Sequence, residues 1–296
     1  MKIGYPCINR SLVRSETSTF KLASYSEDRL IKTINNNLVH LSKILNYNVK
    51  NHLLFFRISS DLIPFASHPI CKYNCLTHFK SEFKEIGDYI TKNNIRISMH
   101  PDQFVLINSP HEKVTQNSIR KLQYHCDILD AMGLDRSAKI QIHVGGAYGE
   151  KTNAINTFIR RYHTFLSESI KERLVIENDD HLFNLNDCMI IHRETSIPIV
   201  FDNFHHDCFS DGESKEPDSI KKSNSTWKKA KDGPPIMDYS SQQLGERKGK
   251  HANTIDISLF EKFVLTLKEF DVDIMLEIKD KEKSALKAFE IIKTYL

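Results

Sequence analysis

The sequence predicts an α/β fold, a single (β/α)8 TIM barrel that forms one domain over residues 1–296. Short apolar runs of β type alternate along the chain with longer amphipathic runs of helical period. Eight such pairs fit into a length close to the roughly 250 residues of a typical TIM barrel. A doubly wound open sheet is the alternative, and the number of units favours the closed barrel.

The predicted strands are short and apolar on both faces, which is typical of a parallel sheet covered by helices. Each is bounded by polar or turn-forming residues, so each run is too short to be a helix. The predicted strands span residues 2–6, 53–59, 95–99, 138–144, 173–177, 197–202, 234–239 and 272–278.

The segments between these runs have the spacing of amphipathic helices. Ser81, Glu85, Asp88 and Lys92 recur at intervals of three and four residues and predict the polar face of one helix. The predicted helices span roughly residues 27–46, 76–94, 111–132, 152–171, 184–195, 215–230, 256–270 and 281–295.

The composition is that of a water-soluble globular protein, with 40% hydrophobic and 27% charged residues. The first ten residues lack the apolar core of a signal peptide, and no apolar run approaches the roughly 20 residues that span a bilayer. The six cysteines are scattered, and Cys71 and Cys75 form a lone CxxxC, so we expect no disulfide framework and no zinc ribbon. We therefore expect a cytoplasmic monomer without a membrane partner.

Hard polar side chains gather at the ends of the predicted strands and in the loops that follow. In a TIM barrel these positions converge on one face, where active sites lie. Buried charges are costly unless they are paired or bound to metal, so core packing does not explain such a set. The candidate metal ligands are His68, His100, His143, Glu177, Asp202, His205, Asp238, His251 and Glu277.

This set mixes nitrogen and oxygen donors, which suits Zn²⁺, Mn²⁺ or Fe²⁺ better than Mg²⁺ or Ca²⁺. Nine candidates exceed the needs of one ion, so we expect two or three ions with Glu177 as a bridging carboxylate. Clusters of this kind perform in-line displacement at phosphorus. A mononuclear site with additional structural histidines is the alternative.

Several segments together resemble the UV-damage endonuclease family, which is related to endonuclease IV and other xylose-isomerase-like barrels. The resemblance covers essentially the whole chain. The most specific stretches are RISSDLIPFASHP, within FRISSDLIPFASHP (56–69), and GGAYGEK, within IHVGGAYGEK (142–151). The others are GYPCIN (4–9), SMHPDQF (98–104), VIENDD (175–180), VFDNFHH (200–206), MDYSSQ (237–242) and MLEIKDKE (275–282).

The resemblance implies a DNA repair endonuclease that nicks double-stranded DNA immediately 5′ of cyclobutane dimers and 6-4 photoproducts. It implies a cluster of two or three divalent ions, Mn²⁺ and/or Zn²⁺, with Glu177 and Glu277 as catalytic carboxylates. The family's ligand positions fall on His68, His100, His143, Glu177, Asp202, His205, His251 and Glu277. Its damage-probing pair falls on Gln103 and Phe104, and its lesion-contacting residues fall on Tyr5 and Asn9.

The chain departs from the family pattern at the end of the seventh strand. The family commonly has Lys-x-His there, whereas this chain has Ile236 and Asp238. Carboxylate oxygen can replace histidine as a ligand, but it shifts the preference toward harder ions such as Mn²⁺. Phe104 stands where a tyrosine is frequent, and an aromatic face is all that a wedge between bases needs.

A pyrimidine dimer is poorly stacked, so extruding it costs less than extruding normal bases. Gln103 can bond to the orphaned bases while Phe104 fills the vacated stack. The basic stretches 219–231 and 246–250 are then candidates for phosphate contacts, and the alternative for both is a solvated surface. Trp227, inside the first stretch, could equally be a packing anchor.

Two other functions fit parts of the pattern. A metal-dependent sugar isomerase of the xylose-isomerase-like barrels would share ligands at strand ends but would not need the HPDQF segment. A non-catalytic damage-binding protein would be expected to lose part of the bridging set, yet Glu177, Asp202 and Glu277 are all present.

Overall fold

Eight parallel strands hydrogen-bond to one another in sequence order, and the last pairs with the first to close a barrel. The computed structural model describes residues 1–12, 17–210, 212 and 216–295. The predicted TIM barrel is confirmed, and the open-sheet alternative is wrong. The strands are β1 Ile3–Pro6, β2 Phe55–Ile58, β3 Arg96–Met99, β4 Lys139–His143, β5 Leu174–Glu177, β6 Ile199–Asp202, β7 Ile236–Tyr239 and β8 Asp273–Leu276.

Helices follow the strands and cover the outside of the barrel. A short 3-10 helix at Leu22–Ser24 precedes the first of them. The α-helices are α1 Glu27–Lys50, α2 Cys75–His78, α3 Lys80–Lys92, α4 Glu112–Ala131, α5 Lys151–Phe165, α6 Glu168–Arg173, α7 Leu185–Thr195, α8 Asn203–Cys208, α9 Glu216–Asn224, α10 Lys229–Asp232, α11 Ile257–Thr266 and α12 Glu282–Tyr295.

Three predicted helices are each divided into two in the structure. The predicted helix 152–171 breaks because the side chain of Ser167 accepts a hydrogen bond from the Ile170 amide and starts a new helix, α6. The predicted helix 76–94 is split at Phe79 into α2 and α3. The predicted helix 215–230 becomes α9 and α10, and residue 215 lies outside the described residues.

The barrel interior is built in layers because side chains along a strand alternate between its two faces. Trp227 packs against one apolar layer, and its indole Nε1 donates a hydrogen bond to the Ile199 carbonyl oxygen at 2.8 Å. Trp227 is therefore a packing anchor. The strand residues of this layer are Phe55, Val175, Val200, Ile236 and Met275. Two residues further along the same strands come Arg57, Glu177, Asp202, Asp238 and Glu277, which share the interior face nearer the strand ends.

A layer of charged side chains lies at the end of the barrel where the strands begin, away from the candidate ligands at the strand ends. Lys139 Nζ lies 2.5 Å from Asp232 Oδ1, and Arg96 forms an ion pair with Asp273. Lys229 and Lys231 line a cleft at this same end, next to Arg96. The prediction of phosphate contacts is wrong for these two lysines, because they lie at the end of the barrel away from the candidate ligands.

Among the described residues, none of the helices combines the length and the apolar character that crossing a membrane would require.

Candidate metal centre

The carboxyl ends of neighbouring strands bring the predicted ligands together. Glu177 ends β5 and pairs in register with His143, which ends β4. Asp202, at the end of β6, pairs in register with Asp238 on β7. Residues paired in register on neighbouring parallel strands lie at the same level along the barrel axis. Ligands that are 25 or more residues apart in sequence are therefore adjacent in space. The centre lies at the mouth of the barrel, where TIM-barrel active sites are built.

The first donor group consists of His100, His143 and Glu177. The Nε2 atoms of His100 and His143 lie 3.3 and 3.7 Å from Glu177 Oε2. The Nδ1 atom of His100 lies 2.8 Å from the Pro101 carbonyl oxygen, so it carries the proton there. This contact fixes the ring and leaves Nε2 free to act as a ligand, as is typical of histidines that bind metal.

The second donor group consists of Glu177, Asp202 and His205, so Glu177 belongs to both groups. His205 Nδ1 lies 3.0 Å from Glu177 Oε1 and 3.5 Å from Asp202 Oδ2. Asp202 Oδ1 caps helix α8 by accepting from the His205 amide at 2.7 Å. The other oxygen, Oδ2, is buried and accepts no hydrogen bond from any described residue. A buried carboxylate oxygen of this kind is a suitable ligand for a cation.

The third group consists of Asp202, Asp238 and Glu277, and two of its carboxylates, those of Asp238 and Glu277, form ion pairs with the guanidinium of Arg57. Arg57 Nη2 donates to both oxygens of Asp238 at 2.8 and 2.9 Å, and Nη1 donates to Glu277.

Gln141 links this group to the others, since its Nε2 donates to Glu177 and to Asp238 at 2.6 Å each. The sequence interpretation missed both Arg57 and Gln141. The signal was present: Arg57 interrupts the apolar run LLFFRIS (53–59), and Gln141 alternates with Ile140 and Ile142 in KIQIH (139–143).

Burial and mutual charge shift the pKa values of these groups in opposite directions. Burial alone would lower the pKa of His205, but the carboxylates of Asp202 and Glu177 outweigh it and raise the pKa to about 11. Burial raises the pKa of Asp238 to about 7 although Arg57 opposes the shift. For Glu277, Arg57 outweighs burial and lowers the pKa to about 2. Glu277 and Glu177 also contribute to the raised pKa of Asp238, and this repulsion between neighbouring carboxylates favours a cation nearby.

Two predicted ligands lie outside the three groups. His251 is adjacent: its Nδ1 lies 2.9 Å from the Glu277 carbonyl oxygen and its ring centroid 5.9 Å from that of His205. His68 is exposed in the loop after β2, and its Nδ1 accepts from the Ile70 amide at 3.1 Å. Its role as a ligand stays a prediction, and it requires this loop to move toward the centre.

The predicted damage-probing pair is exposed on the loop after β3. Phe104 is 72% exposed, an unusual state for a large aromatic side chain. Gln103 lines a cavity of about 430 Å³ next to the centre, whose wall includes His100, His143 and His205. The two side chains thus occupy the rim of the barrel mouth, within one loop of the candidate ligands.

Tyr5 and Asn9, predicted to contact the lesion, are buried instead. Tyr5 is 0% exposed, and its hydroxyl donates to Asn48 at 2.6 Å and accepts from Asn9 at 2.8 Å. Asn9 Oδ1 in turn accepts from the amides of Ser11 and Leu12, which shapes the loop after β1. In this conformation neither side chain reaches the surface, so their contact with DNA stays a prediction that requires the loop to open.

Comparison with known proteins connects this site to one family. A family model described as UV-endonuclease UvdE matches residues 1–295. A protein of Clostridium perfringens named UV DNA damage endonuclease is 40% identical over 293 residues, which cover 99% of this chain and 71% of that protein. A protein of the same name from Bacillus pumilus is 33% identical over 266 residues, which cover 89% of this chain and 82% of that protein.

Solved structures agree with this assignment. The crystal structure of SacUVDE superposes with a TM-score of 0.94 at 45% identity, over 100% of both chains. D-Psicose 3-epimerase from Clostridium cellulolyticum H10 reaches a TM-score of 0.57 at 11% identity, over 100% of this chain and 99% of that one, which shows a shared barrel fold alone. The chain belongs to the UV-endonuclease UvdE family.

Proposed function

We propose that the protein hydrolyses the DNA phosphodiester immediately 5′ of UV photoproducts, cyclobutane dimers and 6-4 photoproducts, and leaves a 3′-hydroxyl and a 5′-phosphate. Membership of the family supports DNA repair endonuclease activity in general. The observation that carries the proposal of metal-assisted hydrolysis is the sharing of the buried Glu177 carboxylate between two donor groups at the barrel mouth, whereas the lesion types and the position of the nick follow the family resemblance.

The donor chemistry fits divalent transition-metal ions. Each of the two groups combines imidazole nitrogen with carboxylate oxygen, and the second contains a buried oxygen without a hydrogen-bonding partner among the described residues, Oδ2 of Asp202. His100, His143 and Glu177 would hold one ion, and Glu177, Asp202 and His205 a second. Bound Mn²⁺ or Zn²⁺ would supply a nucleophilic hydroxide at neutral pH and charge stabilisation at phosphorus.

The chain's own residues orient these donors. The Pro101 carbonyl fixes the ring of His100, and the amide of His205 fixes the Asp202 carboxylate at the start of α8. Gln141 holds Glu177 in place through its 2.6 Å hydrogen bond. Such contacts keep ligands within the narrow geometry that catalysis needs, because a displacement of about 1 Å can cost roughly 100-fold in rate.

The rim of the mouth supplies recognition. Phe104 presents an unshielded ring, and Gln103 presents an amide beside the cavity. An aromatic side chain can enter the stack that a distorted dimer leaves incomplete, while an amide can pair with the exposed edges of the opposite bases. The residue proposed to bind metal, His100, and the residues proposed to recognise the lesion, Gln103 and Phe104, then belong to one loop and are separated by three or four positions.

A nicking assay tests the proposal. The protein is incubated with Mn²⁺ and two duplexes of identical sequence, one of which carries a single thymine dimer. We expect nicking of the dimer-containing strand alone and its loss on addition of EDTA. Equal nicking of both duplexes, or nicking unaffected by EDTA, would contradict lesion specificity or metal dependence respectively. Binding of the dimer-containing duplex without nicking would favour the non-catalytic alternative.

A further inference from the structure

The guanidinium of Arg57 contacts two of the three carboxylates of the third group, Asp238 and Glu277. Its side chain is 3% exposed, on the interior face of β2. It forms ion pairs with Asp238 and Glu277, and Nη2 also donates to Gln141 Oε1 at 2.9 Å. A delocalised, planar cation therefore already lies between two of the three carboxylates of this group.

These contacts leave Asp238 little capacity to bind a metal ion. Both of its oxygens accept from Arg57, and Oδ2 also accepts from Gln141 at 2.6 Å. An ion bound by Asp238 would have to replace charge-assisted hydrogen bonds, which are about twice as strong as neutral ones. It would also bring its own positive charge next to a buried guanidinium, which cannot lose its proton in a protein. Both effects oppose an ion at this position.

The residue below Asp238 offers no compensating ligand. Ile236 occupies the preceding interior position on β7 and packs with Phe55, Val175 and Met275. The Ile236 side chain has no atom that could bind a metal ion, and the residues around it are apolar. An ion beside Asp238 would therefore find no further ligand in this layer. By contrast, the Glu177-sharing groups face the cavity at the barrel mouth through His100, His143 and His205.

We propose that the guanidinium of Arg57 takes the place of a third cation, so that the centre holds two ions and Asp238 is not a metal ligand. The two ions belong to the group of His100, His143 and Glu177 and to the group of Glu177, Asp202 and His205. This inference rests on the metal centre of the proposed function and adds the number of metal ions that the centre binds per chain. Arg57 is a positioning residue, which holds Asp238 and Glu277 in place around the ions.

The bound metal can be counted directly. The protein is dialysed against excess Mn²⁺, freed of unbound ion by gel filtration, and analysed by plasma mass spectrometry for manganese per chain. We expect two ions in the unsubstituted protein and two in Asp238→Asn. Asp202→Asn is the matched control, since it makes the same chemical change at the register partner of Asp238, and we expect it to fall below two. Three ions in the unsubstituted protein, or a loss of metal in Asp238→Asn, would overturn the proposal.

A second variant tests the replacement itself. Arg57→Gln removes the internal cation and leaves Asp202, Asp238 and Glu277 without it, so we expect the count to rise to three. A folded Arg57→Gln protein that retains two ions would overturn the claim that the guanidinium substitutes for a metal. If Arg57→Gln does not fold, the Asp238→Asn count still decides whether Asp238 is a ligand.

The count is independent of nicking, so the two proposals can fail separately. A protein that nicks dimer-containing DNA and binds three ions retains the proposed function and loses this inference. A protein that binds two ions but does not nick has the inferred stoichiometry and lacks the proposed function.

Discussion

Glu177 Oε1 lies 3.0 Å from Nδ1 of His205, while its other oxygen, Oε2, lies 3.3 Å from Nε2 of His100. One buried carboxylate thus has a histidine at each oxygen. Three imidazoles outweigh the effect of burial and hold the pKa of Glu177 well below its usual value. The side chain is therefore an anion at neutral pH and can serve two ions at once.

Replacing Glu177 should separate catalysis from folding. We expect Glu177→Ala to lower nicking by at least about 100-fold, the cost of losing one positioned group that stabilises charge in a transition state. Its circular dichroism spectrum should be unchanged, since the apolar layers of the barrel lie elsewhere. Retention of substantial nicking together with full metal content would show that Glu177 is not the bridging ligand.

Metal affinity should depend steeply on pH. Without an ion, the carboxylates of Asp202 and Glu177 raise the pKa of His205 to about 11 against the opposing effect of burial, so this ring is protonated at neutral pH. Binding an ion through that ring releases the proton, and affinity therefore increases as pH rises toward 11. We expect about a tenfold gain per pH unit between pH 6.5 and 8.5.

Competition with a calibrated chelator, at several pH values, measures this dependence. His205→Asn removes the titrating ring and should flatten the slope while keeping a side chain of similar size. An affinity for Mn²⁺ that does not change with pH in the unsubstituted protein would be incompatible with His205 as a ligand.

The departures at the end of β7 predict a preference for harder ions. Asp238, paired with Arg57, stands where the resembling family has a histidine ligand, and Ile236 brings no ligand, so the centre has one imidazole nitrogen fewer than the family pattern. We expect higher nicking activity with Mn²⁺ than with Zn²⁺, because an oxygen-rich environment favours the harder ion. Activity is titrated with each ion after removal of endogenous metal, and metal content is determined on protein purified without chelator. Full activity with Zn²⁺ and none with Mn²⁺ would refute this preference.

The exposed loop after β3 should affect lesion binding and not metal binding. We expect the double substitution Gln103→Ala with Phe104→Ala to weaken binding to dimer-containing duplex by about 1–3 kcal/mol, the range for one stacking contact between an aromatic side chain and a base. Binding to undamaged duplex depends mainly on phosphate contacts and should keep its affinity and its salt dependence.

Titration of both duplexes at one fixed ionic strength makes this comparison, with metal content as the control. Equal losses on damaged and undamaged DNA would mean that the pair serves general binding or folding. The lesion would then be read elsewhere, and Tyr5 and Asn9, once exposed by loop opening, would be the next residues to substitute.

The barrel and most of the centre could be predicted from the sequence, since strand period and strand ends are local features. His100, His143, Glu177 and Asp202 each end or directly follow an apolar run, and the topology of a parallel barrel brings such ends together. The breaks in the predicted helices were harder to place, because one serine hydroxyl at Ser167 decides where α6 begins.

Pairing across the barrel interior could not be predicted in the same way. The contact between Arg57 and Asp238 joins residues 181 positions apart and depends on which interior side chains reach the barrel axis at the same height. The burial of Tyr5 likewise depends on Asn48 in a helix, whose polar side chain faces the core. The position of His68 depends on a loop conformation that no sequence pattern fixes.

The position and chemistry of the nick test the central claim most directly. A duplex with one thymine dimer, labelled at the 5′ end of the damaged strand, is incubated with the protein and Mn²⁺ and analysed beside a sequencing ladder. We expect one product that ends at the nucleotide immediately 5′ of the dimer and is extended by a DNA polymerase, as a 3′-hydroxyl requires. A product cut 3′ of the dimer, a 3′ end that polymerase does not extend, or an intact strand would contradict the account.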